Sequence, residues 1–501
     1  MKPEFAHLFT RPFWLDEWHT ALVANRASLS QVFSDLYQAS DMGPPLLHVI
    51  AWTVAKMSGG LTPLGGRIIS FTSVLLALIL VFLALRRRFG VAACVAGALA
   101  VASHPLVITH AFELRYYCLW LACAAGFAWA LALDHSLARS RRRDVVIGLW
   151  AILLCMTHWL AVLSLGLMCI GALVSYGRDW RSGLRRVLPA GAGFVVLALS
   201  VPLVLAQRAE VAEQSWMPDV TLAEVRATFD LFWAAAIVVL SVLLILSSLV
   251  LRPLQDEARA TIKTVVRDPS VAALLSLFLV PVLMSILSIV YPALNPRYSI
   301  ATFLGWAPLV AIAVQLLGKP VRGVGSLVLV RSGRVLVFLV LLFFVWASVL
   351  RTALDAARFR SHVIAGRNAL ATACGMSLPV VFQVRHLMYP STEGNSRQWA
   401  RCDTRLLAIP NDMAERMFSS GSNLPRFLRF ENEIARLHQR LYTYPKVSAQ
   451  AHLDSLPRFL LIGWAESFPV GYKHVELFGG AVFPNHRVTR ITEDLTLFEH
   501  R

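Results

Sequence analysis

The chain has 501 residues, of which 57% are hydrophobic and 15% charged, with a formal net charge of +17 and a mean hydropathy of +0.60. A soluble chain carries about a quarter charged residues, so this composition excludes an ordinary soluble enzyme and indicates a polytopic membrane protein. The excess of Lys and Arg forms no basic stripe on a soluble module, which argues against nucleic-acid binding; basic loops are what orient a multi-span protein in a bilayer.

Near the start lies Phe13-Trp14-Leu15-Asp16-Glu17-Trp18-His19. Two adjacent carboxylates at a bilayer edge are costly unless something uses them. Met1–Thr10 lacks the apolar centre of a signal peptide, and no span precedes Asp16, so this stretch is expected outside. Asp16 can cap a helix running from Glu17 toward Arg26, with Glu17 favourable in its first turn. Capping uses one carboxylate only, and the aromatic neighbours imply a partly dehydrated setting in which a carboxylate is a better base. The functional expectation is that Asp16 accepts a proton from an attacking hydroxyl or amine while Glu17 orients it. A second short helix follows, announced by the capping box Ser28-x-x-Gln31. Asp41-Met42-Gly43-Pro44-Pro45 then breaks the chain ahead of Leu46–Met57, an apolar segment of about 12 residues that is too short to span.

Runs of near-spanning length are Ile68–Leu85, Val91–Ile108, Cys118–Leu133, Val187–Ala206, Leu231–Leu251, Val271–Tyr291, Ile300–Leu317 and Val335–Leu350. Val145–Val174, at about 30 residues, is long for one span and short for two. His158-Trp159 near its middle suits an interfacial turn, and counting a hairpin there gives about ten spans. The charges test this count. Arg86–Arg88, Arg139 with Arg141–Arg143, Arg178 to Arg186, Arg252 to Arg267 and Lys319 to Arg334 fall on alternate loops, nineteen basic residues against four on the opposite loops. That asymmetry is the positive-inside pattern, and it holds only with the hairpin. Asp16-Glu17, His110–Arg115, the Arg208–Asp230 loop, Asn295–Tyr298 and everything after Leu350 are thereby expected on the non-cytoplasmic side.

Thr109–Tyr117 joins two spans on that side. His110 and Glu113 stand one helical turn apart and can face one site. A metal needs about three or four protein ligands, which Asp16 or Glu17 would help to supply; a Glu113–Arg115 ion pair or simple solvation is the plainer account. His19, His48, His104 and His158 read as polar interfacial residues, none with ligand spacing. Asn295-Pro296-Arg297-Tyr298 is so short a loop that Arg297 must lie at the membrane surface. Guanidinium matches phosphate bidentately, which makes Arg115 and Arg297 candidates for gripping an anionic lipid head group, with unspecific snorkelling as the alternative. No Walker loop, Gly-rich dinucleotide turn or nucleophile elbow occurs.

From Arg351 onward the chain is mixed in charge. Short apolar runs (Leu378–Gln383, Arg458–Gly463, Val475–Phe483) alternate with helix-like stretches such as Phe430–Leu441, the pattern of a small α/β domain. The chain thus divides into 1–67, an outer-face loop with juxtamembrane helices; 68–350, the transmembrane body; and 351–501, a soluble extracytoplasmic domain. Five of the seven cysteines lie in or beside spans as small apolar packing. Cys374 and Cys402 sit in the tail, where an oxidising compartment permits a disulfide. The sequence shows no internal repeat or low-complexity tract.

An Asp-Glu pair after aromatics, a Pro-Pro-Leu interfacial helix, Glu113-x-Arg115-x-Tyr117 and a late Pro296-Arg297-Tyr298 before a span resemble the GT-C superfamily of membrane glycosyltransferases. The resemblance covers roughly Phe13–Leu350 and is to the polyprenyl-phosphate-sugar-dependent branch, which includes protein O-mannosyltransferases and lipid A aminoarabinose transferases. It implies an all-α polytopic membrane fold, here with a C-terminal extracytoplasmic α/β domain and with the family's first span not visible ahead of Asp16. It further implies inverting transfer of a sugar from a polyprenyl-phosphate donor to a lipid, glycan or protein acceptor, at the outer face of the cytoplasmic membrane. Asp16, with Glu17 beside it, matches the family's catalytic acidic position. Glu113, Arg115 and Tyr117 match its second-loop acidic and Arg-x-Tyr positions, and Arg297 and Tyr298 its late Arg-Tyr. Donor-phosphate contacts are therefore expected from Arg115, Arg297, Tyr117 and Tyr298, with Glu113 and His110 as candidates for a substrate or metal contact. No cofactor is implied, and a divalent metal stays open. Where family members often carry aromatics after Pro-Pro-Leu, this chain has Leu47-His48. A transporter or flippase of lipid-linked sugars is the competing class; it would favour two-fold internal symmetry and helices interrupted at the midplane.

Overall fold

Prolines and polar caps decide where the helices of this chain begin. The computed structural model describes residues 3–11, 13, 15–133, 141–211, 241, 252–290, 295–317, 327–376, 378–382, 404–408, 446–449, 455–462, 485–492 and 495–500. Helices α1 (Pro3–Thr10), α2 (Leu15–Ala24), α3 (Leu29–Tyr37) and α4 (Leu46–Ser58) precede the first long span. The Ser28–Gln31 capping box forms in both directions, as its spacing predicts. Helix α2 starts at Leu15, two residues earlier than expected, so Asp16 and Glu17 both lie in its first turn rather than Asp16 at the cap. Helix α4 ends on Gly59, whose φ of 73° suits a residue without Cβ.

The first long span, α5 (Pro63–Leu85), opens with Pro63 at its first position and Thr62 accepting from the Gly65 N–H at 3.1 Å. The expected span Val91–Ile108 is instead two helices, α6 (Val91–Ala102) and α7 (Pro105–Ala111), bent by 75°. Pro105 is the cause: it has no N–H to continue the ladder, and His104 turns extended to accept from the Leu106 N–H at 3.1 Å. Helix α8 (Tyr117–Ala132) follows. The long Val145–Val174 stretch is a hairpin, α9 (Arg141–Cys155) and α10 (Ala161–Ser175), turning through His158-Trp159 as the charge pattern requires. Then come α11 (Trp180–Val187), α12 (Gly191–Leu199), α13 (Val201–Val211), α14 (Arg252–Val266), α15 (Pro269–Ser276) and α16 (Val280–Val290). The expected span Ile300–Leu317 begins as a ten-residue 3₁₀ segment, Pro296–Gly305, that continues into α17 (Trp306–Leu316). Runs of 3₁₀ beyond a few residues are uncommon, and this one carries Arg297 and Tyr298. Helix α18 (Leu327–Gly375) runs 49 residues, well past the apolar run that ended at Leu350.

Among the described residues five helices are long and apolar enough to cross a membrane, or six if α6 and α7 count as one broken span. Helices α8 and α10 are shorter apolar rods, and the expected span Leu231–Leu251 lies outside the described residues. The protein is a multi-pass helical membrane protein.

The chain divides into two compact units, Thr20–Arg208 with Asp219–Leu354, and Met1–His19 with Ala209–Pro218 and Asp355–Arg501. In the first, glycines let helix backbones approach. A Cβ on Gly97 of α6 would meet the Ala307 carbonyl of α17 at 2.6 Å, and one on Gly171 of α10 would meet the Ala272 carbonyl of α15 at 2.5 Å. The second unit contains α1 and a six-stranded mixed sheet, whose strands are β1 (Val380–Phe382), β2 (Thr404–Ala408), β3 (Lys446–Ala449), β4 (Arg458–Ile462), β5 (His486–Thr492) and β6 (Leu495–His500). The order is β3-β2-β1-β4-β6-β5, with the first four strands parallel and the β5–β6 hairpin antiparallel to β4. Phe459 and Phe498 face each other across β4 and β6 and stack at 4.8 Å. The α/β character of the tail is confirmed; the expected runs Phe430–Leu441 and Val475–Phe483 lie outside the described residues. Cys374 is disulfide-bonded, and Cys402, the expected partner, is likewise outside them.

Gly171→Val forces α10 and α15 apart at a backbone contact. The variant is expected to lose about 1–3 kcal/mol of stability, read as a lowered thermal midpoint in detergent, whereas the same change at Gly166, whose added Cβ meets nothing within 4 Å, is expected to be nearly silent.

Candidate functional site

The turn that ends the short N-terminal helices is built around one carboxylate. Asp41 is buried and accepts from Thr20 Oγ1 at 2.6 Å, from His48 Nε2 at 2.9 Å and from the Met42 N–H at 2.8 Å. Arg115 adds its Nη1, 3.3 Å from Asp41 Oδ1 and 3.1 Å from Thr20 Oγ1. Burial alone would raise the Asp41 pKa, but Arg115 first, then His48 and Thr20, hold it well below the usual carboxylate range. Three separated stretches, α2, the 41–48 turn and the 109–117 loop, are tied at this one group.

The same turn is clamped from its other side by Gln207 of α13. Its Oε1 accepts from the Gly43 N–H at 3.2 Å and Trp159 Nε1 at 3.0 Å, and its Nε2 donates to the Leu36 and Gly43 carbonyls at 3.1 and 3.2 Å. All four hydrogen-bonding positions of the buried amide are filled. Gly43 sits at φ 149°, where a Cβ is disfavoured. After Pro44-Pro45 the Leu46 N–H reaches the Met156 carbonyl of the α9–α10 turn at 3.3 Å.

The 109–117 loop is anchored from α5. Arg67, fully buried, donates its Nε to the Phe112 carbonyl at 3.1 Å, and Ser70 donates to the Glu113 carbonyl. His110 Nδ1 lies 2.7 Å from Glu113 Oε2. Beyond the loop, Tyr117 is the centre of a ring cluster: His110 at 4.4 Å, Tyr116 at 4.6 Å, Tyr298 at 6.2 Å and His158 at 6.4 Å. The Arg297 guanidinium lies 5.9 Å from both the Tyr117 and Tyr298 ring centres, and Arg115 lies 4.9 Å from that of Tyr116. His158, stacked on Trp120, has its pKa pushed down to about 3 by burial and by Arg115 and Arg297, so it stands neutral among the cations. The Tyr117 hydroxyl and His110 Nε2 are buried without a hydrogen-bond partner.

Of the residues expected from sequence, Arg115, Arg297, Tyr117, Tyr298, Glu113 and His110 meet in this cluster. Glu113 pairs with His110 rather than with Arg115, whose partner is Asp41. Asp16 is half-buried in the first turn of α2, and Glu17, fully buried, pairs with Arg11 at 3.3 Å. No group of three or more His, Cys, Asp or Glu with metal-holding geometry occurs among the described residues. Sequence reasoning missed Asp41, Gln207, Arg67 and Tyr116, and it passed over His48 and His158. Arg67 had a signal, a lone cation at the mouth of an apolar run. Asp41 and Gln207 had none, because their partners are 74 and 164 residues away.

The chain is a broken-helix membrane body with a tyrosine- and arginine-lined polar cluster and a mixed-sheet tail, and its fold is one that solved structures already display. Solved structures of ArnT, a lipid A aminoarabinose transferase, from Cupriavidus metallidurans share it across nearly the whole chain. The form bound to undecaprenyl phosphate superposes with a TM-score of 0.56 at 13% identity, covering 99% of this chain and 95% of that one. The apo form gives 0.55 at 14%, with the same coverage. No family model and no curated protein matches the sequence.

Asp41→Asn leaves Arg115 buried against a neutral partner and is expected to cost about 3–5 kcal/mol at pH 7. Because the folded-state pKa of Asp41 is depressed, its contribution is complete above the ordinary carboxylate pKa of about 3.9 and lost as pH falls further. The difference in melting temperature between variant and wild type should therefore narrow in acid below about pH 4.

Proposed function

We propose that the protein is a membrane glycosyltransferase that moves a sugar from a polyprenyl-phosphate-linked donor to an acceptor at the outer face of the cytoplasmic membrane, with inversion. The observation that carries this reading is the Tyr117–Arg297–Tyr298 cluster, in which a guanidinium lies 5.9 Å from both tyrosine ring centres and the buried Tyr117 hydroxyl has no partner. Such a group is costly to bury unless a ligand completes it. A lipid phosphate would complete it, and the shared fold with ArnT, crystallised with undecaprenyl phosphate bound, supports that choice.

In the proposed reaction the acceptor hydroxyl or amine attacks the anomeric carbon from the face opposite the phosphate. Asp16 takes the acceptor's proton, with Glu17 orienting it. The bond from the anomeric carbon to the phosphate oxygen breaks, and its electron pair leaves with the phosphate. Arg297 and Arg115 meet that growing charge, with hydroxyl donors from Tyr117 and Tyr298. A phosphate is already a good leaving group, so one base suffices, unlike the paired carboxylates of glycoside hydrolases.

Lipid and glycan mass spectrometry on a deletion strain tests the reading. Loss of the gene should accumulate a polyprenyl-phosphate sugar and remove one surface glycan. Asp16→Asn should reproduce the deletion, with transfer reduced by about 10²–10⁴-fold, and Arg297→Ala should cost about 10²-fold or more. Full complementation by Asp16→Asn would remove Asp16 as the base and favour a transporter of lipid-linked sugars.

A further inference from the structure

His110 and Glu113 form a dyad whose free end the reaction above leaves unused. Glu113 Oε2 takes the Nδ1–H of His110 at 2.7 Å, which fixes the ring and its tautomer. The opposite nitrogen, Nε2, is buried without a partner on a residue only 5% exposed. The ring packs 4.4 Å from that of Tyr117, whose own hydroxyl is also unpartnered, and the Arg297 guanidinium lies 5.9 Å from the Tyr117 ring centre. A guanidinium and an imidazole backed by a carboxylate thus both lie within about 6 Å of the Tyr117 ring, which brings its own hydroxyl.

We propose that His110, held by Glu113, is a proton-carrying contact to the phosphate of the lipid donor, binding it as imidazolium through Nε2–H. This rests on the donor reading above and deepens it. A donor phosphodiester carries one negative charge, whereas the released lipid phosphate carries two when the electron pair of the broken bond stays on its oxygen. A proton resident on Nε2 meets the second charge by a charge-assisted hydrogen bond. The acceptor's proton still goes to Asp16, so atoms and charges balance with the imidazolium as a spectator that tightens its hold. Glu113 makes the charged ring tolerable in a buried place by supplying its counter-charge.

Among the described residues, the other titratable and charged groups around His110 include Arg115 on the same loop. Tyr117 comes from α8, Arg67 from α5 and His104 from the α6–α7 bend, while the 3₁₀ segment brings Arg297 and Tyr298 against Tyr117. Tyrosine and arginine hold one charge state near neutrality.

The test is proton uptake on binding undecaprenyl phosphate, measured by titration calorimetry of the detergent-solubilised full chain at pH 7.5 in two buffers of different ionisation enthalpy. The wild type is expected to take up about one proton per lipid bound. His110→Gln is expected to bind about tenfold more weakly, the equivalent of one charged hydrogen bond, and to take up about none. Glu113→Gln keeps a hydrogen-bonding partner for the ring but removes the counter-charge. It should show the same loss of uptake with a melting temperature close to wild type, and so covers the case in which His110→Gln fails to fold. Binding without proton uptake by the wild type, or unchanged uptake in either variant, would overturn the assignment while leaving the donor reading intact. Failure of the wild type to bind the lipid at all would overturn both.

Discussion

The buried contact between Asp41 and Arg115 is the constraint on which the polar site depends. Neither group is tolerable alone in that setting: an unpaired charge excluded from water costs several kcal/mol, and each is the other's remedy. Arg115 belongs to the 109–117 loop and Asp41 to the turn after α3, so neutralising the two charges also fixes the distance between those stretches. Thr20 bonds both partners and brings α2 to the same point. His48 adds a second donor to the carboxylate and so orients the start of α4. The ring cluster of Tyr116, Tyr117 and His158 is built directly onto this anchor, since Tyr116 lies against the Arg115 guanidinium and Tyr117 is the next residue.

Around that anchor the chain uses broken helices to bring polar groups together without exposing backbone to lipid. Pro105 ends α6, and the 75° bend carries His110 and Glu113 on the short helix beyond it and its turn. Pro296 starts the 3₁₀ segment that carries Arg297 and Tyr298. Each break frees backbone groups that must be satisfied inside the protein. At the first break the His104 ring accepts from the Leu106 N–H, and the Ser103 carbonyl accepts from Ser348 Oγ of α18. At the second, Asn295 Oδ1 accepts from the Arg297 N–H. The clamps on the site loops follow the same rule, with Gln207 filling the polar groups of the Gly43 turn and Arg67 the Phe112 carbonyl.

The sequence alone determined the class of the molecule, because bilayer insertion is governed by composition and by loop charge. The length of apolar runs and the alternation of basic loops were enough to require a hairpin within Val145–Val174. Local signals also held where the physics is local: the Ser28–Gln31 box and the strands within Leu378–Gln383 and Arg458–Gly463 are set by neighbours within a few residues. The four residues expected at the phosphate, and the Glu113–His110 pair, converge for the same reason, since a loop of fixed length between two spans has few places to put Arg115 and Tyr117.

Only the tertiary structure decided which charges belong to one another. Glu113 had Arg115 two residues away, yet it pairs with His110, and Arg115 turns to Asp41, 74 residues distant, because burial rewards pairing opposite charges wherever the backbone brings them. Asp41 reads in sequence as part of a turn and Gln207 as one polar residue near a helix end. Their roles exist only once α2, α3, α4 and α13 are packed together. Pairing between distant side chains depends on where the backbone carries them, and no periodicity or spacing in a chain records that distance.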